Sequence, residues 1–227
     1  SSESQNHDLQ KLNHINSIIE PLKDFFSRFG IKMASILLLI VATYRLTDIV
    51  MGPMANPFYI DMGYTLEEIG YIVKVVALIA TIFGVFLGGI LIKRIGLYRS
   101  LIIGGILVMF TNLLFSYAAL SDKNLTLLAL IVSSDSIAAG IVGTVNITFL
   151  TSLVSQKYTG FQYALLTSLM AFLGKIFAGF SGLIVENFQS LYGFSIGWMS
   201  FYIFTSILAL PAILMIYQNR SFFTLIK

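Results

Sequence analysis

Apolar residues in this chain come in long runs separated by short polar stretches. About six of the runs reach the ~17 to 25 residues that cross a hydrocarbon core, at 32–58, 66–92, 98–120, 125–154, 162–185 and 198–217. The connectors "KRIGLYRS", "SDKN", "SQKYTG" and "ENFQSLYGFSIG" are short and polar. The pattern predicts an all-α membrane bundle, because a helix satisfies its own backbone hydrogen bonds in lipid and an open strand cannot. Barrel strands would alternate in polarity, and these runs do not.

Composition supports lipid as the solvent. Hydrophobic residues make up 57% of the 227 and charged residues only 11%, against about 25% charged in soluble domains; the mean hydropathy is +0.87. The pattern divides the chain into a leader at 1–31, a six-helix transmembrane bundle at 32–217 and a tail at 218–227. Within the leader, Leu12, Ile15, Ile18, Ile19, Leu22, Phe25, Phe26 and Phe29 recur at helical spacing, so it is either an interfacial helix or a plain linker. The first residues, "SSESQNHDLQ", lack an initiator Met and a cleavable apolar segment, and the chain is expected to be a fragment. No cysteine is present, which removes disulfides, thiolate metal sites and thiol nucleophiles. His7 and His14 are expected to be solvated, and no cofactor or metal is expected.

Basic residues set the orientation. With the leader inside, Lys11, Lys23, Arg28, Lys32, Lys93, Arg94, Arg99, Lys157, Arg220 and Lys227 all lie on the inner side, and only Lys123 lies outside. That bias places both termini in the cytoplasm. The net charge of +3 mostly expresses it. The cations are scattered along membrane edges rather than patched, so no nucleic-acid partner is expected.

Five charges remain inside the apolar runs: Arg45, Asp48, Lys74, Asp135 and Lys175. A charge at mid-membrane costs ~2.5 to 3.5 kcal/mol on insertion scales, so such residues usually face a bundle interior or a wet cavity. Arg45 and Asp48 are three positions apart and share a helix face. They form a structural ion pair, or Arg45 is a cavity cation that binds a substrate carboxylate while Asp48 orients it or takes a proton. Lys74 either snorkels to the outer interface or lines the cavity. Lys175 is nearer mid-span and is expected in the cavity. Asp135 pairs with Arg45, Lys74 or Lys175, carries a proton, or bonds to its neighbours. Arg45, Lys74 and Lys175 outnumber Asp48 and Asp135 by one, which favours an anion.

Much of the glycine falls within the spans at close spacing, as at Gly84 and Gly88 or Gly140 and Gly143, and is expected to let helices pack closely. Pro53, Pro57 and Pro211 are positioned to bend their helices. A Gly-rich phosphate cradle and a dinucleotide fingerprint are both absent, which argues against ATP-driven transport. A membrane-embedded enzyme is disfavoured because no His or Cys cluster exists.

"GGILIKRIGLYRS", with Gly88, Gly89, Lys93, Arg94, Gly96 and Arg99, resembles the cytoplasmic loop motif of the major facilitator superfamily, although it lacks the acidic residue usual there. The stretch "SSDSIAAGIVGTVNITFLTSLVSQKYTGFQYALLTSLMAFLGKIFAGFSGLIVE" resembles the C-terminal part of the AmpG-like muropeptide permeases, with "TGFQYALLTS" the most recognisable segment. "ATYRLTDIV" and "YIVKVVALIATIFGVFLGGIL" resemble that family's seventh and eighth helices. The likeness runs from Lys32 to Tyr217, and the family's charges are kept at Arg45, Asp48, Lys74, Asp135 and Lys175.

This resemblance implies the C-terminal six-helix half of a proton-driven importer of anhydro-muropeptides in the bacterial inner membrane. Its partners would be an N-terminal six-helix half, an anionic glycopeptide substrate and membrane lipid. Arg45, Lys74 and Lys175 would bind substrate, and Asp48 and Asp135 would couple protons or pair. Another anionic solute, such as acetyl-CoA or an organic anion, fits the same charges; so does a non-transporting remnant of a split gene. The chain alone is expected not to transport.

Overall fold

A computed structural model describes the backbone of residues 2–225 and the side chains of residues 18–223. The side chains of Lys11, Leu12, Ile15, His7 and His14, and the whole of Lys227, lie outside that range. The described chain is helical, in the order α1 (Ser2–Tyr44), α2 (Leu46–Asp61), α3 (Leu66–Tyr71), a π-helical turn (Ile72–Val76), α4 (Ala77–Ala118), α5 (Leu125–Leu153), α6 (Thr159–Gly179), α7 (Ser181–Tyr192), α8 (Phe194–Ile207), α9 (Leu210–Gln218) and α10 (Arg220–Leu225).

Among the described residues there are five helical stretches long and apolar enough to cross a membrane: Ile18–Asp61, Leu66–Ala118, Leu125–Leu153, Thr159–Tyr192 and Phe194–Gln218. The difference from the six runs read in the sequence lies at "KRIGLYRS". That connector is helical on both sides of Gly96 and breaks only there, at φ 80° and ψ 166°. Left-handed backbone of this kind suits glycine and little else, so one residue does the work expected of a polar loop. On either side of the break the chain runs in opposite directions along α5. Gly84 and Gly88 meet Ile137 and Thr144 in turn, whereas Gly104 meets Val142 and Thr111 meets Asp135.

Close approach explains part of the α4–α5 packing. A Cβ at Gly140 would strike the Thr81 carbonyl oxygen and come within 2.8 Å of Val85 N, and one at Gly84 would strike the backbone of Ile137. Small residues are what membrane helices use where backbones touch.

The interior is two apolar cores. One gathers Phe25, Leu37, Tyr44, Leu101, Val145, Phe149, Leu153, Ile216 and Phe223. The other gathers Met51, Phe58, Tyr59, Phe115, Leu128, Ile131, Trp198 and Tyr202, with rings in edge and stacked contact such as Phe58–Trp198 at 5.3 Å and Phe115–Tyr202 at 5.1 Å. Between them four of the five long stretches that join both cores carry polar residues. These are Arg45, Thr47 and Asp48 at the α1–α2 junction, Thr111 and Asn112 on α4, Asp135 and Ser136 on α5, and Thr205 and Ser206 on α8. The fold therefore holds a polar layer between two plugs.

The leader is docked on the first core. Gly30 breaks α1 at φ 70° and ψ 156°, and before the break Phe25 is buried while Phe29 packs on Phe222 with ring centroids 5.6 Å apart. Gln162, at 1% exposure, fastens it: its Nε2 donates to Pro21 O at 2.8 Å and Asp24 Oδ2 at 2.9 Å, and its Oε1 accepts from Arg28 Nη2 at 2.9 Å and Ser155 N at 2.7 Å. Phe25, Phe26 and Phe29 of the leader are thus packed on the bundle's own core. At the opposite end Tyr64 donates to Asn124 O, Trp198 Nε1 to Asp61 Oδ2, and Lys123 pairs with Glu68 at 2.8 Å.

Candidate functional site in the polar layer

The site begins with an interruption. Arg45 has φ −105° and ψ 10° and separates α1 from α2, so a helix starts in the middle of the apolar run with Asp48 in its first turn. An acid there is favoured by the amide dipoles of the helix start. The pair with Arg45 is slack: Nη2 lies 3.4 Å from Asp48 Oδ2, with the side chains 31% and 19% exposed. A charge-assisted bond of full strength would be ~2.7–2.9 Å. Arg45 Nε and Thr47 Oγ1 are buried with no hydrogen-bond partner among the described residues. The guanidinium, which has five donors, thus retains capacity for a further acceptor.

Asp135 faces the same place from α5. Its Oδ1 accepts from Thr111 Oγ1 at 2.9 Å, and it lies within electrostatic range of Asp48. Tyr59 and Tyr202 belong to the core above the layer, and Tyr44, in the core below it, donates to Leu101 O at 3.0 Å. No described cation pairs directly with Asp135; of the partners the sequence left open, a neighbouring hydroxyl takes it.

Arg45, Asp48 and Asp135 are therefore brought together. The lysines are not. Lys74, in the π-helical turn, is exposed and lines an outer groove of about 330 Å³ with Asn56, Ile60, Leu66, Ile69, Gly70 and Val73. Lys175 is exposed on α6, next to Gly174, which packs against Ile49 of α2. Both belong to the two least buried of the membrane-length stretches, Leu66–Ala118 and Thr159–Tyr192. In the loop motif Lys93, Arg94, Gly96 and Arg99 are exposed, Gly89 is open on its Cβ side, and Gly88 packs against Ile141 and Thr144 of α5.

Two residues of consequence carry no charge to betray them. Thr111 stands in "LVMFTNLLF", where a polar dipeptide interrupts an apolar run. Gln162 stands in "TGFQYALLTS", and its amide is saturated by partners up to 141 positions away.

A slack ion pair beside a second carboxylate, between apolar plugs, suits exchange of partners for an anion and exchange of protons with water. Comparison with known proteins shows what kind of chain carries it. AmpG 4 of Rickettsia conorii, named as a transporter, is 35% identical over 206 residues, covering 90% of this chain and 47% of its own length. AmpG 1 of Rickettsia bellii is 31% identical over 219 residues, covering 96% and 52%.

Over nine tenths of its length the chain is similar to AmpG transporters.

The anhydromuropeptide permease of Escherichia coli strain K12 is 30% identical over 206 residues, 90% of this chain and 40% of the permease. The AmpG-like chain spans about half the length of the curated relatives it matches. No model of a known protein family matches it. It is a membrane protein related to transporters and permeases, in keeping with the resemblance read from its sequence.

Proposed function

We propose that the AmpG-like chain is the C-terminal six-helix half of a major-facilitator-type, proton-driven transporter that imports anhydro-muropeptides across the bacterial inner membrane. The observation that carries the reading is the slack Arg45–Asp48 pair at 3.4 Å in the polar layer beside Asp135. The permease among the relatives supplies the substrate class. Leu66–Ala118 has 53 residues, ~80 Å at ~1.5 Å per residue, more than twice a ~30 Å hydrocarbon core. Turned at Gly96 it crosses twice, which makes six spans and leaves both termini on the basic, cytoplasmic side.

In this reading Arg45 and Lys175 receive peptide carboxylates of the substrate, and Lys74 guards the outer mouth. Asp48 releases Arg45 to the substrate, and Asp48 or Asp135 takes the co-transported proton. An N-terminal half supplies the opposite wall, and rocking of the halves exposes the layer to each side in turn. The test is uptake of labelled anhydro-muropeptide by the assembled transporter under a proton gradient. Arg45→Ala or Lys175→Ala abolishes uptake with the protein still in the membrane, whereas full uptake in both variants rejects the assignment. Competition by acetyl-CoA or simple organic anions instead of muropeptide would move the substrate to those solutes.

A further inference from the structure

Thr111 is 2% exposed, and its Oγ1 lies between two acceptors, Asp135 Oδ1 at 2.9 Å and Val108 O, one turn back on its own helix, at 3.1 Å. Thr81 and Thr148 make the ordinary bond to a carbonyl four residues back, at 2.8 and 3.0 Å. Thr111 differs in reaching a carboxylate on another helix as well. A hydroxyl has one proton and two lone pairs, so it donates to one of these oxygens at a time.

The partner's chemistry decides which. An ionised carboxylate only accepts, while a protonated one also donates. We propose that Thr111 is the positioning residue of Asp135, changing from hydrogen-bond donor to acceptor when Asp135 takes a proton, so that the α4–α5 bond persists in both states. The inference rests on reading Asp135 as a site of proton exchange.

With Asp135 ionised, Thr111 Oγ1–H donates to Oδ1. When hydronium in the layer gives a proton to Asp135 and leaves as water, the new O–H donates to Thr111 Oγ1, and the threonine proton swings to Val108 O. Thr111 keeps its own proton throughout, and release reverses each step. The groups facing Asp135 are Asp48 from the α1–α2 junction, Thr111 from α4, Tyr59 from α2 and Tyr202 from α8. Asp48 is the carboxylate that pairs with Arg45 and it lies near Asp135, so protonating Asp135 removes the repulsion that a second acid places on that pair. Because the α4–α5 contact is held in either state, the change in charge is felt at the α1–α2 junction, where the backbone is already interrupted.

Infrared difference spectroscopy on the full chain in phospholipid vesicles reads this without transport. Acidification should raise a protonated-carboxyl C=O band that Asp135→Asn removes. Thr111→Val should move that band to higher wavenumber and change the proton concentration at half-titration by about tenfold. Thr111→Ser, which keeps the hydroxyl, should restore both. A band unmoved in Thr111→Val, or no band assignable to Asp135, overturns the proposal. Gradient-driven uptake by the assembled transporter is scored separately. A moved band without such uptake supports the switch and rejects the transport reading, while an unmoved band with uptake intact rejects the role of Thr111 alone.

Discussion

Two polar clusters lie in this bundle, and they are built to opposite ends. Around Gln162 every donor and acceptor of the amide is used: Arg28 bonds Asp24, Gln162 and the Leu153 carbonyl, and the leader is held against the α5–α6 connector. Around Arg45 the one ion pair is stretched, the guanidinium has an unused buried nitrogen, and a second acid stands near with a single hydroxyl partner. A saturated buried network rigidifies, because breaking any one bond exposes the desolvation penalty of the rest. An unsaturated one costs stability, and persists where it meets something that is not part of the chain.

The contrast is broken most sharply by removing Arg45. Arg45→Ala is expected to lower uptake by the assembled transporter at least ~100-fold, because an acceptor carboxylate loses its charged partner. Its unfolding free energy should change less than that of Gln162→Leu below, since the slack pair holds little and Asp48, once unpaired, is free to take a proton. Equal losses of activity and stability would erase the distinction.

The converse substitution is Gln162→Leu, close in volume and without hydrogen bonds. It leaves Ser155 N and Pro21 O without their partners, and should cost ~2–4 kcal/mol in detergent-titrated unfolding. It should also expose the leader, so that trypsin cuts after Lys23 or Arg28 far faster than in the parent chain. A protected leader would mean that the ring packing of Phe25 and Phe29 suffices to hold it.

The smallest effect belongs to Asp24→Asn. The amide oxygen still accepts from Arg28 and Gln162, only the charge is lost, and both partners of the Arg28 pair are about a third exposed. A change of ~0.5–1 kcal/mol in the same unfolding measurement is expected. A larger one would make charge, not hydrogen-bond saturation, the cause of tightness at this end.

The two clusters also differ in how legible they were. Arg45, Asp48 and Asp135 stood out because a charge inside an apolar run is expensive, and the cost itself marks the position. Gln162 is uncharged, and its leader partners Pro21, Asp24 and Arg28 lie 134 to 141 positions away, so its meaning appears only once the leader folds back. Thr111 was hidden among threonines that merely bond their own helix. Spans were legible from run length, but the connector "KRIGLYRS" was not read as helix up to a one-residue break, since polarity suggests a loop and only the backbone at Gly96 marks the turn. For Lys74 the sequence left an outer-interface and a cavity position open, and the exposed side chain in the outer groove corresponds to the first.

The central claim is that the polar layer is one wall of a site completed by an N-terminal half. It is tested most directly by reconstituting the 227-residue chain in vesicles with an imposed proton gradient, with and without a co-expressed N-terminal half, and measuring labelled anhydro-muropeptide uptake. The account predicts saturable uptake only with both halves, lost again in Arg45→Ala. Saturable uptake by the chain alone, shown to be monomeric, would contradict it.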